Sequence, residues 1–288
     1  MKCLIVGSEG QLGRALQATA PSGVIVIAPT RSSCDLTNVD HIERWLSDVR
    51  PDLVFNAAAY TAVDAAESDP ATAELVNGAS VGELAEATTR HAARLVHIST
   101  DFVFDGKSSK PYAPDDVPEP LGVYGRTKLK GEHEVQRAAP DFLIVRSAWI
   151  YAERGRNFVN TMLRLMRERD EIGVIADQIG TPTYARNLAR TLWTLSERQA
   201  SGIYHFTDEG VASWYDFAVA IQEEALNVGI LKSQARIVPI ATSDYPAPAK
   251  RPRFSVLDKS KTRGATGEAG QHWRRALRDM LQRVCLND

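Results

Sequence analysis

Short apolar runs alternate with amphipathic stretches through the first half of the chain. Residues 2–6, Lys2-Cys3-Leu4-Ile5-Val6, are too few for a helix and suit a strand buried on both faces. They lead into Gly7-Ser8-Glu9-Gly10-Gln11-Leu12-Gly13 and then the helical stretch Arg14-Ala15-Leu16-Gln17. Further strands are predicted at about residues 24–28, 53–55, 95–98 and 142–145. Between them, Thr37-Asn38-Val39-Asp40 is a capping-box pattern opening a helix through Trp45 and Val49. Asp69-Pro70 starts a long alanine-rich helical region to about residue 92, and another helix carries Tyr124 and Lys128. Such alternation predicts an α/β fold, a Rossmann-like doubly wound parallel sheet. After residue 147 the pattern loosens. Residues 157–169 are an apolar-periodic helix (Phe158, Met162, Leu165, Met166) suited to core packing. Residues 202–206 read as a strand and 215–225 as a helix.

Composition excludes several classes. With 44% hydrophobic and 24% charged residues among 288, the chain is ordinary for a globular protein. A net charge of -2 argues against nucleic acid as a partner. Cys3, Cys34 and Cys285 are widely spaced, and the six histidines form no ligand set, so no disulfide framework or metal site is expected. Cys3 sits in an apolar run as a small core residue. The amino-terminal apolar stretch is too short for a signal peptide, and no run approaches the roughly 18 apolar residues of a membrane span. A soluble, cytoplasmic protein with no membrane partner is expected.

Candidate chemistry clusters at the ends of the predicted strands. Strand, glycine-rich turn and helix in that order are the context of a dinucleotide fingerprint, here spaced G-x-x-G-x-x-G over Gly7, Gly10 and Gly13. Gln11 and Leu12 would then present a helix N-terminus to a pyrophosphate; a plain strand-to-helix turn is the alternative. After the second strand comes Pro29-Thr30-Arg31, with no acid until Asp35, followed by Leu36. An arginine there accommodates the 2′-phosphate of NADP, so NADPH is favoured, with NADH open and an exposed loop arginine as the plain alternative. Ala58, Ala59, Tyr60 and Thr61 follow the third strand, where small side chains let a cofactor approach the sheet edge. Thr100 ends the fourth strand, and residues 102–106 and 111–120 read as a loop over the site. Tyr124 and Lys128, four apart, share one helix face. A nearby ammonium lowers a phenol's pKa towards working pH. Chance supplies that spacing easily in a chain with eight tyrosines and nine lysines, so its context must decide.

That context resembles the extended short-chain dehydrogenase/reductase family and, more closely, its dTDP-4-dehydrorhamnose reductase branch. The segments that carry the likeness are Gly10-Gln11-Leu12-Gly13, Asn56-Ala57-Ala58-Ala59, Thr61-Ala62-Val63-Asp64, Ser99-Thr100-Asp101, Val103-Phe104-Asp105-Gly106 and Tyr124-Gly125-Arg126-Thr127-Lys128-Leu129. Asn157-Phe158-Val159, Thr161-Met162-Leu163, Asp177-Gln178, Pro182-Thr183, Ser213-Trp214, Phe217-Ala218 and Arg251-Pro252 continue it. The resemblance implies a dinucleotide-binding domain over about 1–150, with a return at about 175–195. A smaller, interleaved substrate-binding domain would occupy most of 151–288.

It also implies reduction of the C4 ketone of dTDP-4-dehydro-6-deoxy-L-mannose to dTDP-L-rhamnose. Tyr124 would be the proton donor, Thr100 a ligand of the carbonyl oxygen, and Lys128 a partner that lowers the tyrosine pKa and holds the nicotinamide ribose. Asp101 and Trp149 would contact the sugar. Arg251, whose paired N–H donors suit a diphosphate, is a candidate substrate contact or an exposed loop residue. Phe102 stands where the family often has tyrosine, removing one hydroxyl. Some relatives dimerise through a metal held by glutamates; the corresponding position is Ala15, so neither metal nor dimer carries over, and monomer and homodimer both stay open. Two other functions share the architecture: a non-catalytic regulatory subunit of the methionine adenosyltransferase type, and a nucleotide-sugar epimerase or dehydratase.

Overall fold

A computed structural model of the chain describes residues 1–287. Its first half runs β1 (Lys2–Val6), α1 (Gln11–Ala18), β2 (Ile25–Ile27), α2 (Val39–Val49), β3 (Leu53–Asn56), α3 (Val63–Ser68), α4 (Pro70–Glu74), α5 (Ser80–Arg90), β4 (Arg94–Thr100), α6 (Val123–Ala138) and β5 (Phe142–Ser147). The second half runs β6 (Ile150–Tyr151), α7 (Phe158–Glu168), β7 (Glu171–Ile175), β8 (Ile179–Gly180), β9 (Thr183–Tyr184), α8 (Ala185–Glu197), β10 (Gly202–His205), β11 (Ala212–Ser213), α9 (Trp214–Asn227), β12 (Arg236–Ile240), α10 (Ser260–Thr266) and α11 (Trp273–Asn287).

Six strands form one sheet in the order β2-β1-β3-β4-β5-β10, with every pair parallel. Alternation along β1 shows how both faces are covered. Cys3 and Ile5 join Leu12 and Leu16 of α1 and Leu188, Leu192 and Trp193 of α8. Leu4 and Val6 join Ile42 and Leu46 of α2, Leu84 of α5 and Val135 of α6. The order in which successive strands are added reverses between β1 and β3, β2 lying on one side of β1 and β3 to β5 on the other, and ligands bind outside the strand ends at such a switch point.

The remaining elements build a core of their own, in which Met162, Met166, Phe217, Ile221, Leu277 and Leu281 pack together from α7, α9 and α11. Residues 175–180 do not return to the sheet as expected. Ile175 pairs with Ile240 of β12, and Ile179 pairs with Ser213 of β11. β7 buries only Ile172 and Val174 of its alternating positions, a pattern for a ribbon covered on one face. The segments that do reach the sheet are α8, whose Trp193 meets Phe55 edge-on at 4.8 Å, and β10 beside β5.

Two local readings also change. The cap of α2 is Asn38, accepting from the His41 amide, while the Thr37 amide and hydroxyl both donate to Asp35 Oδ1. Of residues 102–120, Phe102 lines the cleft at the strand ends, but the segment after it is held to the side. Val103, Phe104 and Tyr112 are buried against Leu257 and draw the segment to the side.

The long helix from Pro70 to Arg90 contains a π turn, Leu75–Ala79. Such bulges mark functional helices, and this one aims Asn77 inward. Asn77 Oδ1 accepts the Tyr60 amide at 2.9 Å, and Nδ2 donates to the Tyr60 carbonyl at 3.0 Å and to Thr127 Oγ1 at 3.2 Å. It therefore ties the loop after β3 to α6. Asn77→Ala would orphan both backbone groups and is expected to cost about 2–4 kcal/mol in urea unfolding.

Candidate active site

The turn after β1 is shaped by steric necessity. Gly7 has φ +81°, and a Cβ there would lie 2.5 Å from the Ala58 nitrogen. A Cβ on Gly13 would lie 2.3 Å from the Gly7 carbonyl oxygen, so Gly13 serves the packing of α1 and does not line the cleft. Gly10 caps α1 without a side-chain bond, leaving the first-turn amides facing the cleft as an anion site. The turn's shape and these amides fit a dinucleotide's pyrophosphate.

Two adjoining hollows meet above this turn. The larger, about 680 Å³, runs from Gly10, Gln11 and Leu12 past Ala58, Ala59 and Thr61 to Thr100, Asp101, Tyr124 and Lys128, and ends at Trp149 and Arg251. The smaller, about 390 Å³, lies among Gly7, Gly10, Arg31, Asp35, Leu36, Ala58, Ala59 and Tyr60. The two share Glu9, Gly10 and Ala57 to Ala59. Every candidate side chain except Gly13 lines one or both.

Several of these residues are already engaged. Asp35 spends Oδ1 on Thr37, whose amide contributes most to holding its carboxyl below the usual range. Gln11 Oε1 accepts from Asn157 Nδ2 at 2.8 Å, joining the glycine-rich turn to the N-terminus of α7. Arg251 pairs with Asp64 at 2.7 Å and also donates to the Ala249 carbonyl. A diphosphate would have to compete with Asp64 for that guanidinium.

At the centre, Thr100 ends β4, Asp101 opens the following turn, and Tyr124 and Lys128 come from α6. Burial pushes the Tyr124 phenol up to about 12, with Thr100 opposing and Asp101 adding to the rise. The expectation that Lys128 lowers this pKa is not met. Lys128 Nζ donates to the Ile98 carbonyl at 2.7 Å and lies 3.3 Å from His97 Nε2. Desolvation lowers Lys128 to about 8. The Phe102 ring meets the Tyr124 ring edge-on at 5.7 Å, an apolar contact beside the phenol.

Asp101 is 2% exposed, and its Oδ1 accepts from the Thr100 hydroxyl at 3.0 Å. Burial raises it from 3.8 to about 6, although the Ser255 and Thr100 hydroxyls pull it back. Between these pH values the folded state keeps this proton while the unfolded state has lost it. Stability therefore falls as pH rises from 3.8 to about 6 and does not recover above. Asp101→Asn is expected to remove that loss, on the order of 3 kcal/mol, and comparing urea unfolding of both proteins at acid and neutral pH measures it.

Some lining residues escaped the sequence reading. Glu9 borders both hollows and accepts the Arg31 amide at 2.8 Å. Arg154 and Arg156 bring two cations to the larger one from the loop before α7. Their signal was present, as two arginines around a glycine just before the Asn157 helix cap. Trp214 stacks on Trp149 with ring centroids 3.5 Å apart. Trp149 itself has φ +47°, unusual for a bulky residue and characteristic of functional sites.

Comparison with known proteins agrees with this geometry. A family described as "RmlD substrate binding domain" matches residues 1–286. The dTDP-4-dehydrorhamnose reductase of Aggregatibacter actinomycetemcomitans is 43% identical over 287 residues, covering 97% of this chain and 98% of its own. A crystal structure of a dTDP-4-dehydrorhamnose reductase from Clostridium acetobutylicum superposes with TM-score 0.93 at 38% identity, covering 99% of this chain and 100% of that one. Another from Bacillus anthracis, solved in complex with NADP, has TM-score 0.91 and 33% identity, covering 97% and 98%. With a full-length family match and relatives of this identity, the chain belongs to the RmlD family of dTDP-4-dehydrorhamnose reductases.

Proposed function

We propose that this chain reduces the C4 ketone of dTDP-4-dehydro-6-deoxy-L-mannose (dTDP-4-dehydro-L-rhamnose) to dTDP-L-rhamnose in rhamnose and cell-surface polysaccharide biosynthesis. The observation that carries this reading is the continuous cleft from the glycine-rich turn to Trp149, with Thr100 and Tyr124 midway along it. NADPH or NADH, when bound, supplies the hydride. The first-turn amides of α1 hold the pyrophosphate, Ala58 to Thr61 give the dinucleotide room at the sheet edge, and Arg31, Asp35 and Leu36 flank the adenosine ribose.

Tyr124 donates the proton to the C4 oxygen as charge develops there. A phenol held at about 12 is fully protonated at neutral pH, the form that an acid requires. Thr100, whose proton otherwise goes to Asp101, turns it to the substrate oxygen and stabilises that charge. Lys128 reaches the nicotinamide ribose, Asp101 and Trp149 border the sugar, and Arg251 takes the diphosphate in exchange for Asp64.

No helix among the described residues is long and apolar enough to cross a membrane. We place the reaction in the cytoplasm, where nucleotide sugars are made, with a monomer or homodimer as the working unit. Oxidation of added NADPH and NADH in the presence of the keto-sugar, with identification of the product, tests the function. One nucleotide oxidised per dTDP-L-rhamnose formed supports it. Isomerised sugar without net oxidation indicates an epimerase, and nucleotide binding with no turnover indicates a regulatory subunit.

A further inference from the structure

Behind Lys128 lies a buried polar chain that the proposed reaction does not use. Asn56 ends β3, and its Oδ1 accepts the Ala58 amide at 3.2 Å. That bond fixes the orientation of the side-chain amide, so Nδ2 faces His97 Nδ1 at 3.1 Å. An amide nitrogen only donates, so Nδ1 must accept. Burial keeps His97 well below its ordinary pKa, hence neutral, and its single ring proton then sits on Nε2.

This proton points at Lys128 Nζ, 3.3 Å away. An ammonium offers only donors, so it meets Nε2–H donor to donor. An uncharged amine has a lone pair to accept that proton and still donates to the Ile98 carbonyl at 2.7 Å. The opposite arrangement, with Nε2 accepting from an ammonium, would turn Nδ1–H towards Asn56. It would require the amide to flip and leave the Ala58 N–H facing another donor.

We propose that His97, locked by Asn56 as its Nε2–H tautomer, is a positioning residue that offers Lys128 a hydrogen bond and favours its uncharged amine in the nucleotide-free site. The inference rests on the reading of Lys128 as part of the reductase site. Charged groups around the amine do not override it. Glu132, one turn along α6, raises the lysine but is held through both oxygens by Arg146 of β5. Asp101 lies at the Tyr124 end of the same cleft.

Ring-nitrogen NMR of histidine-labelled, nucleotide-free protein tests the tautomer, the His97 signals being assigned by their loss in His97→Phe. A ring protonated at Nε2 is expected; one protonated at Nδ1 overturns the proposal. In Asn56→Asp the new carboxylate accepts from both the Ala58 amide and the ring, so the proton is expected to move to Nδ1. Loss of the donor in either variant should raise the Lys128 pKa by about one unit. The alkaline limb of kcat/KM for NADPH, which reports the free enzyme, reads this shift.

Should the keto-sugar not be turned over, titration of the Lys128 Cε resonance reads the same shift independently of activity. A merely structural His97 would lower stability and rate without moving either titration in His97→Phe, which introduces no charge. Unmoved titrations in natively folded His97→Phe and Asn56→Asp overturn the proposal.

Discussion

Tyr124→Phe is expected to lower kcat by about 10²- to 10⁴-fold, the span that loss of a general acid produces. The substitution deletes one oxygen and keeps the ring, so the edge-on contact with Phe102 at 5.7 Å survives and α6 remains in place. Binding of the nucleotide rests on the turn after β1, on Arg31, Asp35 and Leu36, on the loop after β3 and on Lys128, none of which the change removes. Its Kd should therefore hold within a few-fold while turnover collapses. Steady-state kinetics with NADPH and the keto-sugar, together with direct titration of the nucleotide, separate the two. Rates near wild type would end the assignment of Tyr124 as the acid. A loss mainly in KM would make it a binding residue instead.

Glu132→Ala should unfold the chain more easily by about 3–5 kcal/mol, because it leaves one member of a buried ion pair alone. Glu132 is fully buried and Arg146 is 2% exposed, and they meet through two parallel bonds of 2.9 and 2.7 Å. Arg146 also donates to the Pro114 carbonyl at 3.2 Å and lies over the Phe104 ring. The pair thus joins α6, β5 and the segment before α6. Without the carboxylate, the guanidinium stays buried with no counter-charge. The double variant Glu132→Leu with Arg146→Met should recover most of the loss, since an apolar pair of similar volume carries no desolvation cost. Urea unfolding followed by circular dichroism measures both. A single variant within 1 kcal/mol of wild type would show that water reaches the guanidinium.

Periodicity was a sound guide where contacts are local. The short apolar runs became β1, β3, β4 and β5, and the glycine-rich turn followed β1 because few residues other than glycine adopt its geometry. Tyr124 and Lys128 share a helix face because four residues make about one turn. Where the reading went astray, a distant partner was responsible. Residues 175–180 joined β12 and β11, which lie decades of residues away in the chain. Val103, Phe104 and Tyr112 turned aside to Leu257. The partners that Arg251 and Trp149 find within the cleft, Asp64 and Trp214, are likewise distant in the chain and leave no periodic trace.

Resemblance, not periodicity, supplied the sugar substrate and the selection of Asp101 and Trp149. It said nothing of Glu9, Arg154 or Arg156. Glu9 belongs to the glycine-rich turn itself, whereas Arg154 and Arg156 enter the cleft only once the loop before α7 is brought over the first turn of α1, where Asn157 meets Gln11.

The sequence by itself determined that strands and helices alternate, that a dinucleotide-type turn follows the first strand, and that Thr100, Tyr124 and Lys128 lie at strand end and helix start. Each of these depends on backbone sterics or on spacing within a few residues. Only the tertiary structure decided what the side chains face. Packing partly buried Tyr124 and raised its pKa, turned Lys128 towards His97 and Ile98, and placed the Asn56 amide so that it dictates the histidine tautomer. Protonation states follow from burial and from the direction of each hydrogen bond, and both are set by residues far apart in the chain.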